Sequence, residues 1–141
     1  MIRVALCAAL VLAAPQIASA APPGDTSGLS QQLEAAWNAH DLAKFTALFT
    51  PDAKWMSMTA PPSSASVRDQ TEAIMKANPD TNCVLGSHAA DEKQALSEWS
   101  CTGTDSMTKK RIEVHTVTVD ILAPDGKIKE RHGYFDPASL K

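Results

Sequence analysis

Beyond residue 28 the hydrophobic positions change period part-way along the chain. Leu29, Leu33, Ala36 and Trp37 recur at helical spacing, which predicts a helix starting near Ser27 or Ser30. Asp41 is placed to cap a second, shorter helix whose buried face is Leu42, Phe45, Leu48 and Phe49, ended by Thr50-Pro51-Asp52. Ala53 to Met58 reads as a strand containing Trp55, and Thr59 to Ala65 as a Pro/Ser loop. Ser66 caps a third helix with Asp69 three residues on, an apolar face of Val67, Ile74 and Met75, and a stop at Asn78-Pro79.

From there the pattern is strand. Asn82 to Ala90 and Gln94 to Thr102 flank a polar turn at Asp91-Glu92-Lys93. Arg111 to Leu122 is rich in β-branched residues, Pro124-Asp125-Gly126 is a strong turn signal, and Lys127 to Asp136 returns to end at Pro137. Helices first and antiparallel strands afterwards predict an α+β domain with its helices on one face of the sheet.

The first 20 residues differ from all of this. Arg3 carries the one charge, Val4 to Ile17 carries none, and Ala18-Ser19-Ala20 has the small-x-small form of a signal-peptidase site. The apolar run is shorter than the roughly 20 residues that span a bilayer. We therefore expect residues 1–20 to be a secretion signal, 21–28 a flexible Pro/Gly leader and 29–141 one domain. The protein is expected in the periplasm or outside the cell, with no membrane contact after cleavage. The net charge of -3, without a basic block, argues against a nucleic-acid partner.

Export gives the cysteines a meaning. The mature chain has two, Cys83 and Cys101, whose indices average to position 92, the centre of the polar turn. In an antiparallel hairpin they face each other, at the approach a disulfide needs. Closing that loop contributes about 3 kcal/mol in the chain-entropy view.

Leu33-Glu34-Ala35-Ala36-Trp37-Asn38-Ala39-His40-Asp41, followed by Phe45 to Phe49, resembles the opening of a SnoaL-like domain of the NTF2-like superfamily. Asp125-Gly126-Lys127-Ile128 through Tyr134-Phe135-Asp136-Pro137 is similar to that family's last hairpin. The resemblance implies a cone: a strongly bent antiparallel sheet packed on three N-terminal helices around an apolar pocket. Members include polyketide cyclases, ketosteroid isomerases and limonene-epoxide hydrolases, and dimers are common. Cyclase and hydrolase members carry a proton-transferring aspartate on the last strand. That position aligns with Gly133, which has no group to move a proton.

Candidate chemistry is therefore sought elsewhere. His132 and Tyr134 share one face of the last strand, with Asp136. Lys127, Lys129 and Arg131 would lie on the opposite, solvent face, which favours His132 and Tyr134 pointing in; a bulge after the Asp-Gly turn would reverse this. His115 alternates with Val117, Val119 and Ile121, one polar group in an apolar series, with Glu98 and Glu113 as lesser candidates. Trp55 and Trp99 could give a ligand flat walls, whereas Trp37 reads as core and Asp41 as a cap. Met56, Met58 and the four histidines match no metal-ligand spacing, and no cofactor fingerprint is present.

The reading that needs least is an exported pocket protein binding a small apolar or amphipathic molecule through Trp55, Trp99, His115, His132 and Tyr134. The alternatives are an isomerase, lyase or hydrolase using His115 or His132, and a dimeric interaction module.

Overall fold

The computed structural model describes Thr26, residues 28–57 and residues 64–135. The proposed signal segment, Met58 and Asp136 lie outside the described residues. Three helices, α1 (Leu29–Asn38), α2 (Leu42–Ala47) and α3 (Val67–Ala77), accompany five strands. These are β1 (Phe49–Ser57), β2 (Asn82–Ala90), β3 (Gln94–Thr104), β4 (Arg111–Leu122) and β5 (Ile128–Phe135), in the sheet order β1-β5-β4-β3-β2. The expected α+β architecture, a curved sheet with its helices near the N-terminus, is the one found.

Local chemistry sets the helix ends. The Asp41 carboxylate accepts a hydrogen bond from the Lys44 amide at 2.9 Å, and the Ser66 hydroxyl accepts one from the Asp69 amide at 3.1 Å. The second helix is shorter than its apolar spacing suggests. Phe49 opens β1 instead, and β1 runs through Pro51, tolerable because β1 is an edge strand. β1 joins β5 in parallel, so the sheet is mixed; the other three pairings are antiparallel.

Cys83 and Cys101 are directly opposed in the β2–β3 ladder and form a disulfide with Cα atoms 4.0 Å apart. β2 is the other sheet edge, and α1 covers it with side chains. Asn38 donates to the Cys83 carbonyl at 2.7 Å and accepts from its amide at 2.8 Å; Glu34 accepts from the Leu85 amide at 2.8 Å. These contacts satisfy backbone groups that an edge otherwise leaves open.

The core lies between helices and sheet, with Leu29, Leu33, Ala36, Phe45, Phe49, Trp99, Leu122 and Ile128 buried. Helix α3 buries Val67 and Thr71, the threonine returning its hydroxyl to the Val67 carbonyl at 2.7 Å, while Ile74 stays 36% exposed.

Two strand faces differ from expectation. On β4 the inward side chains are Ile112, Val114, Thr116, Thr118, Asp120 and Leu122, so His115, Val117, Val119 and Ile121 face outward. The register requires it. Trp99 pairs with Thr116 and Cys101 with Val114, and paired residues share a face. On β5 the pairing passes from Leu122–Ile128 to Ile121–Glu130, leaving Lys129 without a partner position. This bulge puts Ile128 and Arg131 on the same inner face although they are three residues apart. Arg131 is therefore buried, and the expectation that His132 and Tyr134 point inward is corrected: both face outward.

Candidate functional site

The bent sheet and the helices enclose a cavity of about 400 Å³. That is within the usual range for small-molecule sites. Leu33, Trp37 and Phe45 from α1 and α2 wall one side. Trp99, the disulfide, Val114 and Thr118 from β2–β4 wall the other. Trp55, Arg131, Gly133 and Phe135 close it along β1 and β5, and Gln70, Ile74 and Asn78 stand along α3.

Arg131, 4% exposed, donates from Nε to Asp120 Oδ1 and from Nη2 to Asp120 Oδ2, both at 2.7 Å. Asp120 is fully buried. This fork-to-fork geometry is the arrangement in which a buried pair best offsets its desolvation. The guanidinium carbon lies 5.7, 5.2 and 5.5 Å from the ring centroids of Phe45, Phe49 and Trp55. Three aromatic faces thus hold the charge in place. Trp99 Nε1 donates to Thr118 Oγ1 at 3.0 Å. Trp37 Nε1 is buried with no hydrogen-bond partner among the described residues.

Of the residues singled out from sequence, Trp55 and Trp99 line this cavity, as does Trp37, which sequence had placed in plain core. The Cys83–Cys101 disulfide forms part of its wall. The histidines do not reach it. His115 Nδ1 lies 3.0 Å from Ser100 Oγ and its Nε2 3.5 Å from Glu113 Oε1, on the outer sheet face; His132 Nε2 lies 2.9 Å from Glu130 Oε1 on the same face. Tyr134, 42% exposed, borders an outer groove of about 410 Å³ with Glu98, Ser100, His115 and Val117. His88 meets Gln31 at 2.9 Å, and His40 occupies the exposed turn between α1 and α2 at φ 51°.

Sequence reasoning missed Asp120 and Arg131. A trace was present: Asp120 is the only acid between His115 and Leu122, a charge in a run of β-branched residues. Its partner was hidden by the bulge. Gly133 does line the cavity, and a β-carbon built there would lie 3.5 Å from Trp55 Nε1. Among the described residues no cluster of histidine, cysteine and carboxylates could hold a metal ion.

A cone-shaped α+β domain around an apolar cavity is the class that fold and site define. The family model described as "SnoaL-like domain" matches residues 30–131, so the chain belongs to that family. Among solved structures it is similar to AclR from Streptomyces galilaeus, a candidate hydroxylase. Identity is 26% over 84% of this chain and 93% of that one, with a TM-score of 0.70. It also resembles SalBIII, an epoxide hydrolase/cyclase-like enzyme of pyran-ring formation in salinomycin (17% identity, 82% and 93% coverage, TM-score 0.71). A third is IdmH, a candidate polyketide cyclase from Streptomyces antibioticus (19% identity, 82% and 95% coverage, TM-score 0.67). The last two likenesses concern the fold. A search of curated proteins finds no match to this chain.

Proposed function

We propose that this protein is an exported small-molecule-binding member of the SnoaL-like family, holding a largely apolar molecule inside the cone. One observation carries the reading. Among the described residues, the cavity wall offers aromatic and aliphatic surface but no free proton carrier. A general base must come within hydrogen-bond reach of the proton it takes. His115 and His132 stand on the far side of the sheet. Asp120, fully buried behind Arg131, has both oxygens engaged by that guanidinium. The enzymatic alternative keeps some support from the names of AclR, SalBIII and IdmH, and in this chain it would have to run through the Asp120–Arg131 pair.

Export is part of the proposal, supported by the charge-then-apolar pattern of residues 1–20 and by the disulfide, a bond that persists in oxidising compartments. A homodimer through the outer sheet face is supported by its exposed apolar residues, Val84 at 58%, Leu96 at 45% and Tyr134 at 42%. The test is native mass spectrometry of protein taken without reduction from the exported fraction. A single small molecule should co-purify, and Trp55→Ala should lose it. Turnover of that molecule, abolished by Asp120→Asn in a folded protein, would replace binding with catalysis.

A further inference from the structure

Met107, at the tip of the hairpin joining β3 to β4, is 89% exposed, more than any other large hydrophobic side chain among the described residues. A run of cations follows it. Lys109, Lys110 and Arg111 are all exposed, and residues 105–111 hold three cations against one carboxylate. That segment is +2 in a chain of -3, so the remainder of the chain carries -5. The three cations make no ion pair among the described residues.

The tip is held in place. Asp105 Oδ1 accepts from the Met107 amide at 3.0 Å, the Thr108 amide at 2.6 Å and the Thr108 hydroxyl at 2.8 Å. The Asp105 amide donates to the Lys110 carbonyl and the Lys109 amide to the Asp105 carbonyl, both at 2.9 Å. The Ser106 amide donates to the Ala77 carbonyl at 2.7 Å, and Asp80 accepts from the Thr104 amide at 2.7 Å. These bonds fix the hairpin against the end of α3. They also engage the two nearby carboxylates, Asp80 and Asp105, with groups of the hairpin, while the third, Glu72, pairs with Lys76 at 2.6 Å.

The occupant such a surface fits combines negative charge with apolar depth. Free phosphate or an acidic polypeptide would meet the cations but give Met107 nothing to enter. A neutral bilayer would take Met107 but leave the cations without partners. An anionic bilayer offers both, and a basic patch with one apolar anchor supplies the two signals that reversible surface binding needs.

We propose that the β3–β4 hairpin docks this protein reversibly on an anionic phospholipid surface. Met107 enters the interface, and Lys109, Lys110 and Arg111 meet the lipid phosphates. Asn78, Thr81 and Ile112 beside the hairpin line the cavity, so docking brings that wall of the cavity to the bilayer. The contact is superficial: among the described residues no helix is long and apolar enough to cross a membrane. The expectation of no membrane contact after cleavage came from hydropathy, which does not weigh a charged tip. The proposal is independent of what the cavity holds.

The mature, disulfide-bonded protein is sedimented with vesicles of phosphatidylcholine alone or with about 30% phosphatidylglycerol, at about 50 mM and about 500 mM salt. Each cation near an anionic surface favours binding by roughly fivefold, and the neighbouring Asp80 and Asp105 offset part of this. At low salt the anionic vesicles should therefore bind at least about tenfold more strongly, and high salt should remove at least about fivefold of that. Lys109→Gln with Lys110→Gln should weaken binding at least about fivefold, and Met107→Ser about threefold. These side chains are exposed, so both variants should keep the wild-type thermal midpoint. Equal binding of the wild type to the two kinds of vesicle, binding to neither, or binding unmoved by both folded variants overturns the proposal. Retention on immobilised poly-L-glutamate without vesicle binding overturns it too, and makes the hairpin a site for an acidic polypeptide.

Discussion

Replacing Arg131 with methionine removes the only buried cation among the described residues. Methionine keeps an unbranched stem against Phe45, Phe49 and Trp55, so the lost packing is small. The loss is electrostatic, because Asp120 keeps its carboxylate at 0% exposure. Surface ion pairs are discounted for solvent screening, but with the partners 4% and 0% exposed no such discount applies here. Removing one partner of a buried pair costs about 3–5 kcal/mol. A domain of this size has about 5–15 kcal/mol in total. With a urea slope of roughly 1–3 kcal/mol per molar, the unfolding midpoint should fall by about 2 M. The companion Asp120→Leu should cost a similar amount by stranding the guanidinium. The double variant should recover to within about 1 kcal/mol of wild type, since an apolar pair of similar volume meets no desolvation cost. Urea titrations of the four proteins at pH 7 provide the assay. Additive single effects, or an Arg131→Met cost below about 1 kcal/mol at pH 7, would refute the claim that this pair forms a dry floor.

Four further outcomes are expected. Cys83→Ser with Cys101→Ser should lower stability by about 3 kcal/mol in urea titrations, and reductant should then have no effect on the variant. Gly103→Ala should cost about 1–3 kcal/mol, because its β-carbon would sit 2.9 Å from Thr81 Oγ1 and 3.2 Å from Thr81 Cα; Gly133→Ala meets nothing closer than 3.5 Å and should cost less than about 1 kcal/mol by thermal unfolding. Hydrogen bonds from Thr104 hold the Asp80 carboxyl below its ordinary 3.8, and those from Thr108 do the same for Asp105, so each favours the fold only while ionised. That contribution is intact above 3.8 and is lost as the pH falls through the lower folded-state values; an acid titration of Asp80→Asn should be flatter in that window. Leu96→Asp on the outer sheet face should abolish self-association in analytical ultracentrifugation without lowering the unfolding midpoint, whereas an unchanged sedimentation profile would refute the outer-face dimer.

The sequence by itself determined most of the fold, because the signals concerned are local. Helical spacing at Leu29, Leu33, Ala36 and Trp37, the caps at Asp41 and Ser66, and the turn at Pro124-Asp125-Gly126 act within a few residues of where they are read. One long-range contact was also legible. Cys83 and Cys101 were expected to face each other and do, but the pairs beside the turn, such as Ala90–Ala95, run one residue out of their register, and a bulge between Leu85 and His88 restores it. The faces of β4 and β5 were decided only by tertiary structure. Both faces of β4 carry β-branched residues, so alternation gives no direction; what fixed it was the pairing of Trp99 and Cys101 with Thr116 and Val114. On β5 a single unpaired residue, Lys129, shifts the phase of everything after it. That shift carries Arg131 from a solvent row into the cavity, against an aspartate eleven residues away, and turns His132 and Tyr134 outward. A site made of two strands can be read only once their register is known, because in a strand one residue of slip exchanges inside for outside.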